Sequence, residues 1–152
     1  MSFTVDYSQA SEGRIRPGKY EVLLTGWDAK ETKTAGTKYI ELDFVVRNDI
    51  QQAHKNSHIW HKIWAKRGTT DYAIWAIITV AKAMQIPDGT SYGSLQDMLN
   101  ALKGKLCAVN IVHNKDGYPE VDSFEPTAFT QNNHQFKAIG TDVAFNQDDL
   151  PF

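Results

Sequence analysis

Apolar and polar positions alternate with period two in the first part of the chain, recur at helical spacing in the middle, and alternate again before the C-terminal stretch. After Arg16-Pro17-Gly18, a turn signal, Tyr20, Val22 and Leu24 alternate with Lys19, Glu21 and Leu23, which predicts a strand with one buried face. A polar loop from Ala29 to Thr37 follows, and a second alternation sets Ile40, Leu42, Phe44 and Val46 against Tyr39, Glu41, Asp43 and Arg47. Between His58 and Lys66 two periods compete. Ile59/Ile63 and Trp60/Trp64 suit a helix, whereas period two groups Trp60, Lys62, Trp64 and Lys66. The short length, the aromatic and β-branched content and Gly68 just beyond favour a strand.

Thr69 or Thr70 is placed to cap a helix with Asp71 in its first turn, and Ile74, Ile77, Ile78, Ala81 and Met84 recur at helical spacing until Pro87. A second helix is predicted from Ser94 through Leu95, Met98, Leu99 and Leu102 to Gly104. Strands return at Leu106 to His113 and Tyr118 to Phe124, joined by Asn114-Lys115-Asp116-Gly117, whose Asp-Gly pair is a hairpin signal. From Thr130 onward only scattered apolar residues remain, and residues 130–152 read as a flexible acidic tail on a domain spanning 1–129. The predicted order is βββ-αα-ββ. Five strands with a helical insertion, here about 68–104, match the strand count of the OB-fold, a small barrel that binds oligonucleotides on strands 2 and 3 and the flanking loops.

Charge changes the picture when it is divided along the chain. The total of −2 over 152 residues argues by itself against a nucleic-acid binder. Residues 14–67, however, hold eleven basic and six acidic residues, giving +5, while 68–129 carry −3 and both ends are acidic. The basic excess coincides with the predicted strands 1 to 3. The single cysteine, Cys107, admits no internal disulfide and fits a reducing compartment as a core residue. No basic start followed by an apolar run and no apolar stretch of about 20 residues is present, so a cytoplasmic protein without a membrane span is expected.

Trp60-x-Lys62-x-Trp64-x-Lys66 sets aromatic faces beside cations on one strand face, the combination that single-stranded nucleic acid requires for base stacking and phosphate contact. The alternative is that one or both tryptophans belong to the core, but Ile59 and Ile63 already fill the opposite face. Arg67 extends the basic run, Tyr39 and Arg47 point away from the expected core, and Trp27 stands where strand 1 enters its loop. Lys30, Lys33, Lys38 and Lys115 rim the same face from the loops, although lysines there also serve simply as solvated surface.

The chain closes on Asp148-Asp149-Leu150-Pro151-Phe152. This ending resembles the acidic tip of bacterial single-stranded DNA-binding proteins, which docks onto replication and repair partners. The body is instead similar to the bacteriophage-encoded single-stranded DNA-binding proteins, a divergent OB-fold group. That resemblance is carried by Pro17-Gly18-Lys19-Tyr20, Gly36 to Leu42, Gln85-Ile86-Pro87-Asp88-Gly89 and Leu102-Lys103-Gly104-Lys105, with a helical insertion longer than is usual in small OB domains. It implies a protein that coats single-stranded DNA with little sequence preference and recruits replication or recombination proteins through Asp148, Asp149, Leu150, Pro151 and Phe152.

No cofactor is implied, and homo-oligomerisation is left open. His54, His58 and His61 share a face only if their segment is helical, which is the one arrangement that suggests a metal site. As a strand the segment disperses them, and exposed histidines beside a basic groove are expected. The chain lacks GxxxxGK[ST], GxGxxG, HExxH and GxSxG patterns, so an enzyme is not expected. The competing reading is an accessory or inhibitor module that uses the barrel and acidic end to bind a replication protein.

Overall fold

Strand β1 (Gly18–Glu31) is long enough to serve two neighbours. Residues 18–23 pair antiparallel with β4 (Leu106–His113), and from Val22 onward β1 pairs antiparallel with β2 (Lys38–Val46). The register slips between Leu24 and Gly26, leaving Thr25 as an extra residue whose hydroxyl donates to the Asp43 carbonyl at 2.9 Å. A bulge of this kind bends the strand and increases its twist. Strand β3 (His58–Trp64) pairs with β2 and β5 (Pro119–Glu125) with β4, giving one five-stranded antiparallel sheet of order β3-β2-β1-β4-β5. The computed structural model describes Val5 and residues 14–136.

One face of the sheet carries the core: Tyr20, Val22 and Leu24 of β1, Ile40 to Val46 on alternate positions of β2, Ile59 and Ile63 of β3, and Cys107, Val109 and Ile111 of β4. Helices α1 (Ile74–Ala83) and α2 (Leu95–Leu102) close it with Ile77, Val80, Ala81, Leu99 and Leu102. The two edge strands approach each other across this core. Phe124 of β5 lies 5.8 Å from the Phe44 ring and 5.1 Å, edge-on, from His61 of β3.

The element order βββ-αα-ββ is the one expected, with local differences. Strand β1 continues to Glu31, so the first loop spans 32–37 rather than 29–37 and Lys30 lies within the strand, opposite Tyr39. Helix α1 has Ala73 at its N-cap with no side-chain cap; Thr69 instead accepts from the Asp71 amide in the preceding turn. Its buried stripe runs through Ile77, Val80, Ala81 and Met84, leaving Ile74 and Ile78 exposed, because the sheet is met by a narrower face than the isoleucines alone suggest. Helix α2 is capped by Ser94, which accepts from the Asp97 amide at 3.0 Å. The Asn114 to Gly117 turn forms as expected: Gly117 has φ +81, and Asn114 Oδ1 accepts from the amides of Asp116 and Tyr118.

The folded unit also reaches beyond 129. An arm, residues 126–136, crosses the other face of the sheet. Glu21 accepts from the Thr127 hydroxyl and the Ala128 amide, Arg47 donates to the carbonyls of Phe129 and Gln131, and Asp49 accepts from the Asn133 amide. Asn48 donates its amide to His134 Nδ1 and holds Gln135 through its side chain. Residues 130–135, expected to begin the tail, are therefore tied to β2 and the loop after it.

Candidate functional site

The alternation of β2 and β3 produces three cross-strand rows on the outer face. Lys30, Tyr39 and Trp64 are in register across β1, β2 and β3; Asp28, Glu41 and Lys62 form the next row; Gly26, Asp43 and Trp60 form the third. Trp60 is 58% and Trp64 44% exposed, while the intervening Ile59 and Ile63 are buried, as period two requires. Thus β3 presents two tryptophans and a lysine to solvent because its other face is spent on the core.

The first row is an aromatic and cationic cluster. The Tyr39 and Trp64 rings are 4.9 Å apart and tilted by 46°, and Lys62 Nζ stands 5.0 Å from the Tyr39 centroid and 5.6 Å from that of Trp64. Ala65 donates its amide to the Lys38 carbonyl at 2.9 Å, which fixes Lys38 beside the end of β3. Lys66 and Arg67 continue from that end and Lys33 projects from loop 32–37, all three exposed. Among the described residues Lys33, Lys38, Lys62 and Arg67 form no ion pair, and Lys66 makes one long contact of 3.8 Å to Asp71.

The rest of the face is less basic than the sequence charge suggests. Lys30 donates to Glu41 at 2.7 Å, and this hydrogen bond and charge raise the lysine pKa. Asp43 Oδ1 is 2.6 Å from His58 Nδ1, and the His58 ring stacks on Trp60 at 5.5 Å and 14°. Beyond Trp60, Arg14, His58 and Pro119 line a cavity with it, and the Arg14 guanidinium lies 4.1 Å over the Tyr118 ring. Lys115 is exposed on the hairpin next to Tyr118. The face therefore has cation-rich ends and a middle where Asp28, Glu41 and Asp43 offset Lys30 and Lys62.

Two expected members of this face lie elsewhere. Arg47 is fully buried, paired to Asp49 and spent on the carbonyls of the arm, because the strand ends at Val46 and the chain turns the guanidinium under residues 127–131. Trp27 faces the core side: the bulge at Thr25 inverts the alternation, so Trp27 shares a row with Leu42 and His61, and its Nε1 donates to Asn100 Oδ1 at 2.9 Å. Of the histidines expected on the surface, His54 is buried and His61 is turned inward, where burial lowers its pKa. Cys107 is buried, and burial with the nearby Glu21 charge pushes its thiol up to about 12. Asp148, Asp149, Leu150, Pro151 and Phe152 lie outside the described residues.

Trp75, 74% exposed, is a member the sequence reading passed over. Its signal was present: on a helical wheel it falls opposite Ile77, Val80, Ala81 and Met84, so it cannot reach the core with them. It lines a groove of about 440 Å³ between β3, α1 and β5 together with His61, Lys62, Trp64 and Phe124. Arg14 was likewise invisible, since only folding brings it over Tyr118.

Among the described residues no three His, Cys, Asp or Glu side chains group so as to hold a metal ion, and no helix is long and apolar enough to cross a membrane. In comparison with known families, residues 3–135 match a model described as a protein of unknown function, DUF669. No curated protein matches the chain.

Proposed function

From the premise that the chain belongs to the DUF669 family, whose description assigns no activity, we propose that this protein binds single-stranded DNA on the outer face of β2 and β3. The observation that carries the reading is the cluster of Lys62 over the Tyr39 and Trp64 rings, with Lys33, Lys38, Lys66 and Arg67 on the same strands and adjoining loops. Exposed aromatic faces are sequence-tolerant stacking platforms, each contributing roughly 1–3 kcal/mol per base, and free cations contact phosphates by displacing counterions. Trp60, Arg14, Tyr118 and Lys115 continue the track toward the β4–β5 hairpin.

The finer fold in this proposal is a five-stranded OB barrel. The sheet order β3-β2-β1-β4-β5 leaves β3 and β5 as the two edges, and the contact of Phe124 on β5 with His61 on β3 supports their approach across the core. In the same proposal the acidic end at Asp148 to Phe152 recruits replication or recombination proteins, a role that rests on sequence alone.

The deciding experiment is a titration of intrinsic tryptophan fluorescence with single-stranded oligonucleotides of increasing length at low salt. Quenching that saturates, with affinity rising with length, is expected. The carboxylates Asp28, Glu41 and Asp43 on the same face favour the second reading, a module that binds a basic protein. Absence of any mobility shift or quenching, together with capture of a purified replication protein, decides for it.

A further inference from the structure

The groove between β3, α1 and β5 shares Trp64 and Lys62 with the proposed track. Its volume of about 440 Å³ lies in the range of small-molecule sites, roughly 300–1,000 Å³. Trp64 and Trp75 both line it, one from the end of β3 and one from the first turn of α1. Phe124 and Ala76 complete an apolar lining, and the His61 ring forms part of the inner surface against Phe124.

The polar groups are few and differ in kind, and one of them, the exposed Asp122 on β5, is a carboxylate. Thr79 is already committed, its hydroxyl donating to the Trp75 carbonyl at 2.8 Å, and Ser123 accepts from Asn110. Among the described residues the His61 ring makes no hydrogen bond. Burial lowers its pKa and so favours the neutral form, which has one donor and one acceptor nitrogen. Lys62 supplies a cation at the rim, where it also faces the Tyr39 and Trp64 rings.

We propose that this groove is a subsite for one nucleobase unstacked from the bound single strand, held between Trp64 and Trp75 with its edge toward His61 and its phosphate toward Lys62. The occupant follows from the chemistry: two indoles in the lining suit a flat π-surface, a neutral imidazole pairs with the donor and acceptor edge of a base, and the Lys62 charge suits an anion. Continuity with the outer face follows from Trp64 and Lys62, which belong to both. The inference rests on the single-stranded DNA reading of that face.

The test uses full-length protein, a fluorescently labelled single-stranded oligonucleotide, and the variants Trp75→Ala, Trp75→Phe and Trp60→Ala. Affinity is read by anisotropy, and the Trp75 indole and His61 ring resonances are followed by NMR. Trp75→Ala is expected to weaken binding about tenfold or more, with Trp75→Phe recovering most of it and both resonances shifting on addition of DNA. Recovery by phenylalanine separates lost stacking from damaged folding. If the wild type binds and Trp60→Ala weakens it while Trp75→Ala leaves affinity unchanged and the wild-type Trp75 and His61 resonances do not move on addition of DNA, the subsite is wrong and the outer face stands. If the wild type binds no oligonucleotide, both are overturned.

Discussion

Arg47 and Asp49, two residues apart, form a buried two-pronged pair: Nε donates to Oδ1 at 3.0 Å and Nη2 to Oδ2 at 2.7 Å. Of the remaining guanidinium hydrogens, two go to the carbonyls of Phe129 and Gln131, both at 2.8 Å, and one to Thr127 Oγ1 at 3.3 Å, so one side chain joins the end of β2 to the arm 126–136. Removing one member of such a pair leaves an uncompensated buried charge. Arg47→Met is expected to destabilise the protein by about 3–5 kcal/mol in urea unfolding and to speed amide exchange at Ala128 to Gln135. A loss below about 1 kcal/mol with unchanged exchange would show that the arm is held otherwise.

The same contact region predicts acid sensitivity. His134 Nδ1 accepts from the Asn48 amide and so must be unprotonated there; burial lowers its pKa, Asp49 opposes this and Arg47 adds to it. Asp49 is held low by its hydrogen bonds from Arg47, against the cost of burial. In both cases the unfolded chain takes up the proton first, so stability falls as pH falls. One step starts below the ordinary histidine value of 6.5 and a second below the ordinary aspartate value of 3.8. His61, also lowered by burial, titrates in the first window, so His134→Gln should remove only part of that step in unfolding measured from pH 7.5 to 5. Stability that is flat across that range would count against both histidine assignments.

Trp60 and Trp64 are exposed while their neighbours on β3 fill the core. Replacing both by alanine should therefore change folding stability by about 1 kcal/mol or less and weaken single-stranded DNA binding by roughly 1–3 kcal/mol per stacked base. Fluorescence-independent measurement, such as anisotropy of a labelled oligonucleotide, is needed because the variant lacks two of the chain's four tryptophans. Unchanged affinity sinks the stacking role.

Lys62 and Lys30 stand on one face with different partners: Lys62 lies over aromatic rings, and Lys30 is neutralised by Glu41 at 2.7 Å. Lys62→Ala is expected to reduce the slope of log affinity against log salt by about 0.7, the value for one single-strand phosphate, and Lys30→Ala to change it by less. Equal effects would mean that the Glu41 pairing does not persist with DNA present.

Cys107 should resist thiol reagents in the native protein at pH 8, because it is buried and its thiol is pushed up to about 12. Labelling is expected only when denaturant opens the core. Fast native labelling would contradict the position of β4 within it.

Sequence by itself determined the element order, the Asp-Gly hairpin and the exposed pair Trp60 and Trp64, because each depends on local periodicity or turn chemistry that a few neighbouring residues specify. Only the tertiary structure decided the rest. One unpaired residue at Thr25 turned Trp27 from the outer face to the core, and a period-two reading contains no mark for a bulge. Arg47 has the composition of a surface cation, and its burial depends on carbonyls more than 80 residues away in the chain. The groove of Trp75 and His61 joins a strand, a helix and a hairpin strand, and the net charge of the outer face depends on Glu41 and Asp43 standing across from Lys62 and Trp60. Long-range pairing of this kind is set by packing over the whole sheet, and the order of residues along the chain leaves it unspecified.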